Sequence, residues 1–191
     1  MTFQIRDIRQ VKPAPGRLYF LDANVWLHIL AETPEPRVQP YLDFWNQLVE
    51  LSDGTTPVVV ATSLLIAETF NAHLKSGFRR YEKEHPAPRG QSLNFKRDYR
   101  DTADYKRQRD NFLYQFGAYQ SYVSIVPDDI DRTDVWQMLK RIPSIADFND
   151  FYYSRFCRNN GYSIVTDDGD FKFDDVEILT INQELLRLRT N

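Results

Sequence analysis

Arg17-Leu18-Tyr19-Phe20-Leu21-Asp22-Ala23-Asn24-Val25-Trp26 decides how the chain folds. Arg17 to Leu21 is a short, mostly apolar run behind Pro13, Pro15 and Gly16, and it ends abruptly on a carboxylate. A run of that length between turn formers reads as a buried strand. Val25 to Leu30 then reads as helical, so Asp22 stands where a strand hands over to a helix. Continuous rather than alternating apolar strands belong to parallel sheets covered on both faces.

The same hand-over recurs outward from this stretch. Pro57–Ala61 reads as a second strand, with Thr62 or Ser63 capping a helix through about Leu74. Tyr122–Val126, Tyr162–Thr166 and Val176–Ile181 read as third, fourth and fifth strands. Helices are expected over Tyr41–Leu51, about Asp98–Gly117, Asp134–Arg141 and Gln183–Arg189. Another runs from a Ser144 cap to Asn160, with Gly161 as the stop. No Ser/Gly-rich linker or internal repeat divides the chain. The expectation is one three-layer α/β domain over residues 1–191, with about five parallel strands and an enlarged helical insertion at 77–120.

Composition narrows the class. The 191 residues are 42% hydrophobic, which suits a globular protein. No apolar run approaches the roughly 20 residues of a membrane helix, and the start has no basic-then-apolar signal layout. The lone Cys157 makes neither an internal disulfide nor a thiolate cage, so a reducing cytoplasm is expected. Net charge is −3, yet His73–Asp110 carries +5 and the remainder −8.

Loops that follow parallel strands share one edge, where ligands bind. Asp22 follows the first strand, and Asp167, Asp168 and Asp170 follow the fourth. Glu68 lies early in the helix after the second strand, and Asp150 early in the helix leading to the fourth. Two carboxylates about 5 Å apart repel by roughly 3 kcal/mol at an effective dielectric near 20. A divalent cation relieves that repulsion. Oxygen ligands without Cys or a His pair select Mg²⁺ or Mn²⁺ over Zn²⁺. Such a centre suits phosphodiester hydrolysis with no protein nucleophile.

These motifs resemble the PIN-domain family, including VapC-type toxins of toxin–antitoxin pairs. The resemblance rests on Leu18-Tyr19-Phe20-Leu21-Asp22-Ala23-Asn24-Val25 and Leu64-Leu65-Ile66-Ala67-Glu68. Asp150 follows, and sixteen residues later comes Thr166 within Ile164-Val165-Thr166-Asp167-Asp168-Gly169-Asp170-Phe171. It covers most of the chain except the first dozen residues and the insertion. It implies that Asp22, Glu68, Asp150 and Asp168 are catalytic, metal-binding acids, with Asp170 a further ligand and Asn24 a supporting polar residue. It further implies an Mg²⁺- or Mn²⁺-dependent endoribonuclease, an RNA substrate, a homodimer and, for a toxin, a small antitoxin partner.

Plainer roles stand beside these. Asp22 also fits a helix N-cap, and Glu68 a solvated helix residue. Ser144-Ile145-Ala146-Asp147 has capping-box spacing, so Asp147 is either a cap or a rim acid. Asp167 reads as a turn residue, the three histidines as ordinary, and Cys157 as a core thiol. Arg79, Arg80, Lys96, Arg97, Arg100, Lys106 and Arg107 are interleaved with Phe78, Tyr81, Phe95, Tyr99 and Tyr105. Cations and rings together suit single-stranded RNA, whereas a solvated charged face is the plain alternative. Two whole-chain alternatives are a non-catalytic PIN fold that binds RNA or protein, and a haloacid-dehalogenase-type phosphohydrolase. The latter needs a second Asp where Asn24 stands.

Overall fold

The computed structural model describes residues 4–89, 91–128, 135–144 and 146–189. Gly90 and Asp134, read from the sequence as a loop residue and a helix start, lie outside the described residues. The described strands are β1 (Gln4–Asp7), β2 (Tyr19–Leu21), β3 (Val59–Ala61), β4 (Val123–Ile125), β5 (Ser163–Val165) and β6 (Glu177–Thr180). They form a parallel sheet in the order β1-β6-β5-β2-β3-β4.

β2 shows why the sheet lies inside. Tyr19, Phe20 and Leu21 are all buried. Tyr19 meets Phe44 of α2 (Gln39–Leu51) edge-on at 5.3 Å. Phe20 meets Tyr153 of α6 (Phe148–Asn160) at 4.9 Å. Successive strand residues point to opposite faces, so helices cover both sides and no polar alternation is needed.

The sheet has one strand more than the expected five. β1 pairs with β6 at the edge, where Gln4 and Arg6 are exposed while Ile5 and Asp7 are buried. An inward carboxylate hides this strand from a search for apolar runs. Asp7 is held by Arg9, whose guanidinium pulls the carboxyl below its usual range.

Helix boundaries also differ, and the closing helix ends at Leu186, not at Arg189. α6 is capped by Asp147, which accepts from the Asp150 N–H, not by Ser144. Its other end is as expected, since Gly161 takes the left-handed turn at φ 71°. α3 (Ser63–Glu84) continues well past Leu74, and α4 starts at Ala103 behind a Thr102 cap, not at Asp98. Between them Phe95–Tyr99 forms a wide helical turn capped by Asn94.

α3 and α4 (Ala103–Gly117) run antiparallel as an arm. Phe70 meets Phe112, and seven residues on, a Cβ at Gly77 would lie 2.8 Å from Gln108 Cγ and Tyr99 Oη. Only glycine allows that approach. Phe78, Tyr81, Phe95, Tyr99 and Tyr105 pack on one another, so these rings hold the arm together instead of standing free for bases. α1 (Ala23–Ile29), α5 (Val135–Arg141) and the short α7 (Gln183–Leu186) complete the described helices. Among the described residues, no helix is long and apolar enough to cross a membrane.

Candidate active site

From β2 the chain moves outward to β3 and β4, and later returns to the other side of β2 as β5. The reversal leaves a crevice at the carboxyl ends of β2 and β5, the usual ligand position in an open α/β sheet. Asp22 leaves one strand and Thr166-Asp167-Asp168 leaves the other.

Asp22 is both cap and site residue. One carboxylate oxygen accepts from the Ala23 N–H at 2.6 Å, starting α1, while the other accepts from the Thr166 hydroxyl at 2.7 Å. Asn24 donates to Asp22 and to Thr166, and its amide oxygen accepts from the Asp167 N–H. Thr166 also receives the Asp168 N–H. This lattice ties the two loops together at fixed orientation.

The other acids arrive on helices. Glu68 sits in the second turn of α3 and accepts from Asn149 Nδ2 and Tyr153 Oη, both at 2.8 Å and both on α6. Asp150 lies in the first turn of α6, below Asp147. Asp168 is partly buried in the loop after β5 and accepts from the Asp170 N–H. Asp170 itself is exposed at the outer rim.

These carboxylates feel one another. Burial, together with Glu68 and Asp168, pushes Asp22 up to about 6 despite the hydrogen bonds from Thr166 and Ala23. Burial, with Asp147, Asp22 and Asp168 nearby, pushes Asp150 up to about 7. Burial and the Glu68 charge likewise raise the Tyr153 phenol well above its ordinary value, which keeps it a proton donor toward Glu68.

Asp167 is the contrast. It faces away, toward His28 at 3.3 Å and Arg37 at 2.8 Å, and accepts from Tyr41 Oη. Burial alone would raise it, but those hydrogen bonds outweigh burial and hold its carboxyl below the usual range. Among the described residues, Asp22, Glu68, Asp150 and Asp168 have no such cationic partner.

The donor set is therefore oxygen-only, rich in negative charge and uncompensated, which fits a hard divalent ion. Among the described residues, no three side chains of His, Cys, Asp or Glu are gathered tightly enough to ligate one ion as they stand. Mutual repulsion favours that spacing, and the hydrogen bonds to Glu68 hold it toward α6.

Tyr41, Asn149, Tyr153 and Asn182 position this edge without having been read from the sequence. Tyr41 bonds the Thr166 carbonyl and Ile181 N–H, and Asn182 donates to the Asp167 carbonyl. His28 is more than an ordinary helix residue, because it helps turn Asp167 aside. Cys157 is a buried core thiol.

The arm's cations divide into two groups. Arg97 pairs with Asp98, Arg107 with Asp104, Arg80 donates to Gln108, and Arg100 lies over the Phe95 ring. Arg79, Lys96 and Lys106 are exposed and outside those pairings.

One stability effect follows from Asp150. A carboxylate raised by the fold costs nothing below its unfolded value near 4, and its full cost is present above its folded value. The protein without metal should therefore lose stability through this group as pH rises from about 4 to 7. Asp150→Asn should melt about 2–4 °C higher than wild type above pH 7, roughly 1 kcal/mol after solvent screening and loss of a favourable helix-start charge. The two should converge near pH 4. Thermal melts in EDTA across that range check this, and a pH-independent difference would contradict it.

A doubly wound parallel sheet with an uncompensated acidic crevice at its switch point defines the class: an α/β fold of nuclease type. The PIN domain family model matches residues 19–178, and the chain belongs to the PIN-domain family. The comparison with curated proteins found no match, and neither did that with solved structures.

Proposed function

We propose that the chain is an Mg²⁺- or Mn²⁺-dependent endoribonuclease. PIN domains are generally nucleases that bind divalent metals, which supports the class of reaction. The observation that carries the reading is the pair Asp22 and Asp150. Both are driven toward neutrality by burial and neighbouring carboxylates, with no cation beside them among the described residues. Structural ion pairs do the opposite, as Asp167 does.

Asp22, Glu68, Asp150 and Asp168 would hold the metal, with Asp170 assisting from the rim. A bound divalent ion would supply water of lowered pKa and offset charge at the phosphorus undergoing in-line displacement. The chain's own contribution is orientation. Thr166 and the Ala23 N–H fix the two oxygens of Asp22, Asn24 joins the two loops, and Asn149 with Tyr153 aims Glu68. Asp147 caps α6 and so sets the place of Asp150.

Family likeness extends the reading to a homodimer and, for a toxin, a small antitoxin that closes the acidic crevice. Sedimentation of the purified chain tests the first, and co-purification with the adjacent gene product tests the second.

The deciding experiment uses circular single-stranded RNA, which only an endonuclease opens. Mn²⁺ or Mg²⁺ should give linear RNA, and EDTA should leave the circles intact. Circles that survive every divalent ion would reduce the chain to a non-catalytic binding module.

A further inference from the structure

We infer that the outer face of α3 is a track for the single-stranded RNA flanking the bond cut at the acidic crevice. An α-helix turns about 100° per residue. Counted from Glu68, Lys75 lies about −20° around the axis, Arg79 about +20° and Lys83 about +60°. These three cations therefore continue the face that Glu68 begins. All three are exposed, and none forms an ion pair among the described residues.

The opposite face is occupied. Phe70, His73, Gly77 and Tyr81 lie roughly 140–220° away, against α4 and the turn before it. The arm's packing thus turns the stripe outward to solvent. It starts at the site because Glu68 is bonded to Asn149 and Tyr153 of α6. From Glu68 to Lys83 the helix rises about 22 Å, long enough to meet several consecutive phosphates. Glu82, partly buried, is the acid bordering the stripe.

The occupant is a polyanion whose backbone is read without base specificity, because lysine and arginine side chains at one-turn spacing meet phosphates as point charges. RNA is favoured over an acidic protein segment because the stripe is continuous with the acid that would serve in cutting. The inference rests on the proposed ribonuclease reading for the position of the cut.

The test measures binding, so it does not depend on cleavage. A fluorescein-labelled oligouridylate of about 20 nucleotides is titrated in EDTA over a range of salt with wild type, with Lys75→Gln/Arg79→Gln/Lys83→Gln, and with Arg97→Gln/Arg109→Gln. Each lost phosphate contact lowers the slope of log affinity against log salt by about 0.7 for a single strand. The triple variant should lose about 2 units of slope and at least tenfold in affinity at low salt. Arg97→Gln/Arg109→Gln should keep the wild-type slope, because both arginines are already paired with aspartates. A triple variant that keeps the wild-type slope overturns the inference. A wild type that binds with the full slope but opens no circles with Mn²⁺ would sink the nuclease reading and leave the track standing.

Discussion

Asp22→Asn should abolish opening of circular RNA in Mn²⁺, lowering the rate on the order of a thousandfold, about 4 kcal/mol of barrier. The substitution removes one charge from the oxygen set and keeps the size and shape of the side chain. Asparagine is as good an N-cap as aspartate, so the Ala23 N–H keeps an acceptor. With its oxygen kept on the Ala23 N–H, the new amide nitrogen replaces the oxygen that accepted from Thr166 and Asn24, so those two side chains lose an acceptor and must turn. A buried carboxylate pushed up to about 6 also disappears, which offsets the lost hydrogen-bond strength. The variant should therefore melt within a few degrees of wild type in EDTA, and Mn²⁺ should no longer raise its melting temperature. Asp167→Asn is the control. Asp167 directly follows Thr166, but its charge is taken up by Arg37 and His28. That variant should lose stability and keep cutting within about tenfold. Equal losses in both variants would mean that general disruption of the loop, not the acidic crevice, underlies the effect.

The contrast between Asp22 and Asp167 shows how far the sequence alone could be read. Strand type was legible because burial on both faces forces continuous apolar residues, as in Tyr19-Phe20-Leu21 and Val59-Val60-Ala61. Asp22 and Asp168 were legible as candidates because each directly follows such a strand. The outward turn of Asp167 was anticipated only as a turn residue, and its partners were not, because Arg37 lies 130 positions away. Glu68 could be placed on a helix, but its hold by Asn149 and Tyr153 needed the packing of α3 against α6.

β1 was missed for a different reason. Its inward residues alternate between Ile5 and Asp7, and the carboxylate is tolerated only because Arg9 curls back onto it. The rings of the arm were misleading in the same way. Interleaved aromatics and cations suit both RNA and a small ring cluster, and Tyr99 is wholly buried in the latter. Helical periodicity carried the information that composition did not. It separates Lys75, Arg79 and Lys83, which face out, from Arg80, which reaches Gln108 across the α3–α4 contact.

Trp26→Ala should be among the most damaging single changes to the fold, costing about 4 kcal/mol and roughly 8–16 °C of melting temperature. Trp26 is fully buried on α1, the helix that Asp22 starts. Its ring meets Trp45 of α2 at 5.4 Å and Phe116 of α4 at 5.1 Å, so one side chain ties the sheet-side helices to the arm. Truncation leaves a cavity among large rings that cannot all shift inward. The indole N–H, however, is buried without a hydrogen-bond partner among the described residues. An unsatisfied donor costs about 1–3 kcal/mol, so Trp26→Phe sheds that cost while keeping most of the apolar contact. It should therefore fall within about 1 kcal/mol of wild type, despite the smaller ring. Urea unfolding of both variants separates the two contributions. A Phe variant as unstable as the Ala variant would mean that the full indole volume, which phenylalanine does not fill, holds α1 in place. Because α1 carries Asp22 at its first turn, the Ala variant should also lose cutting well below the temperature at which wild type does.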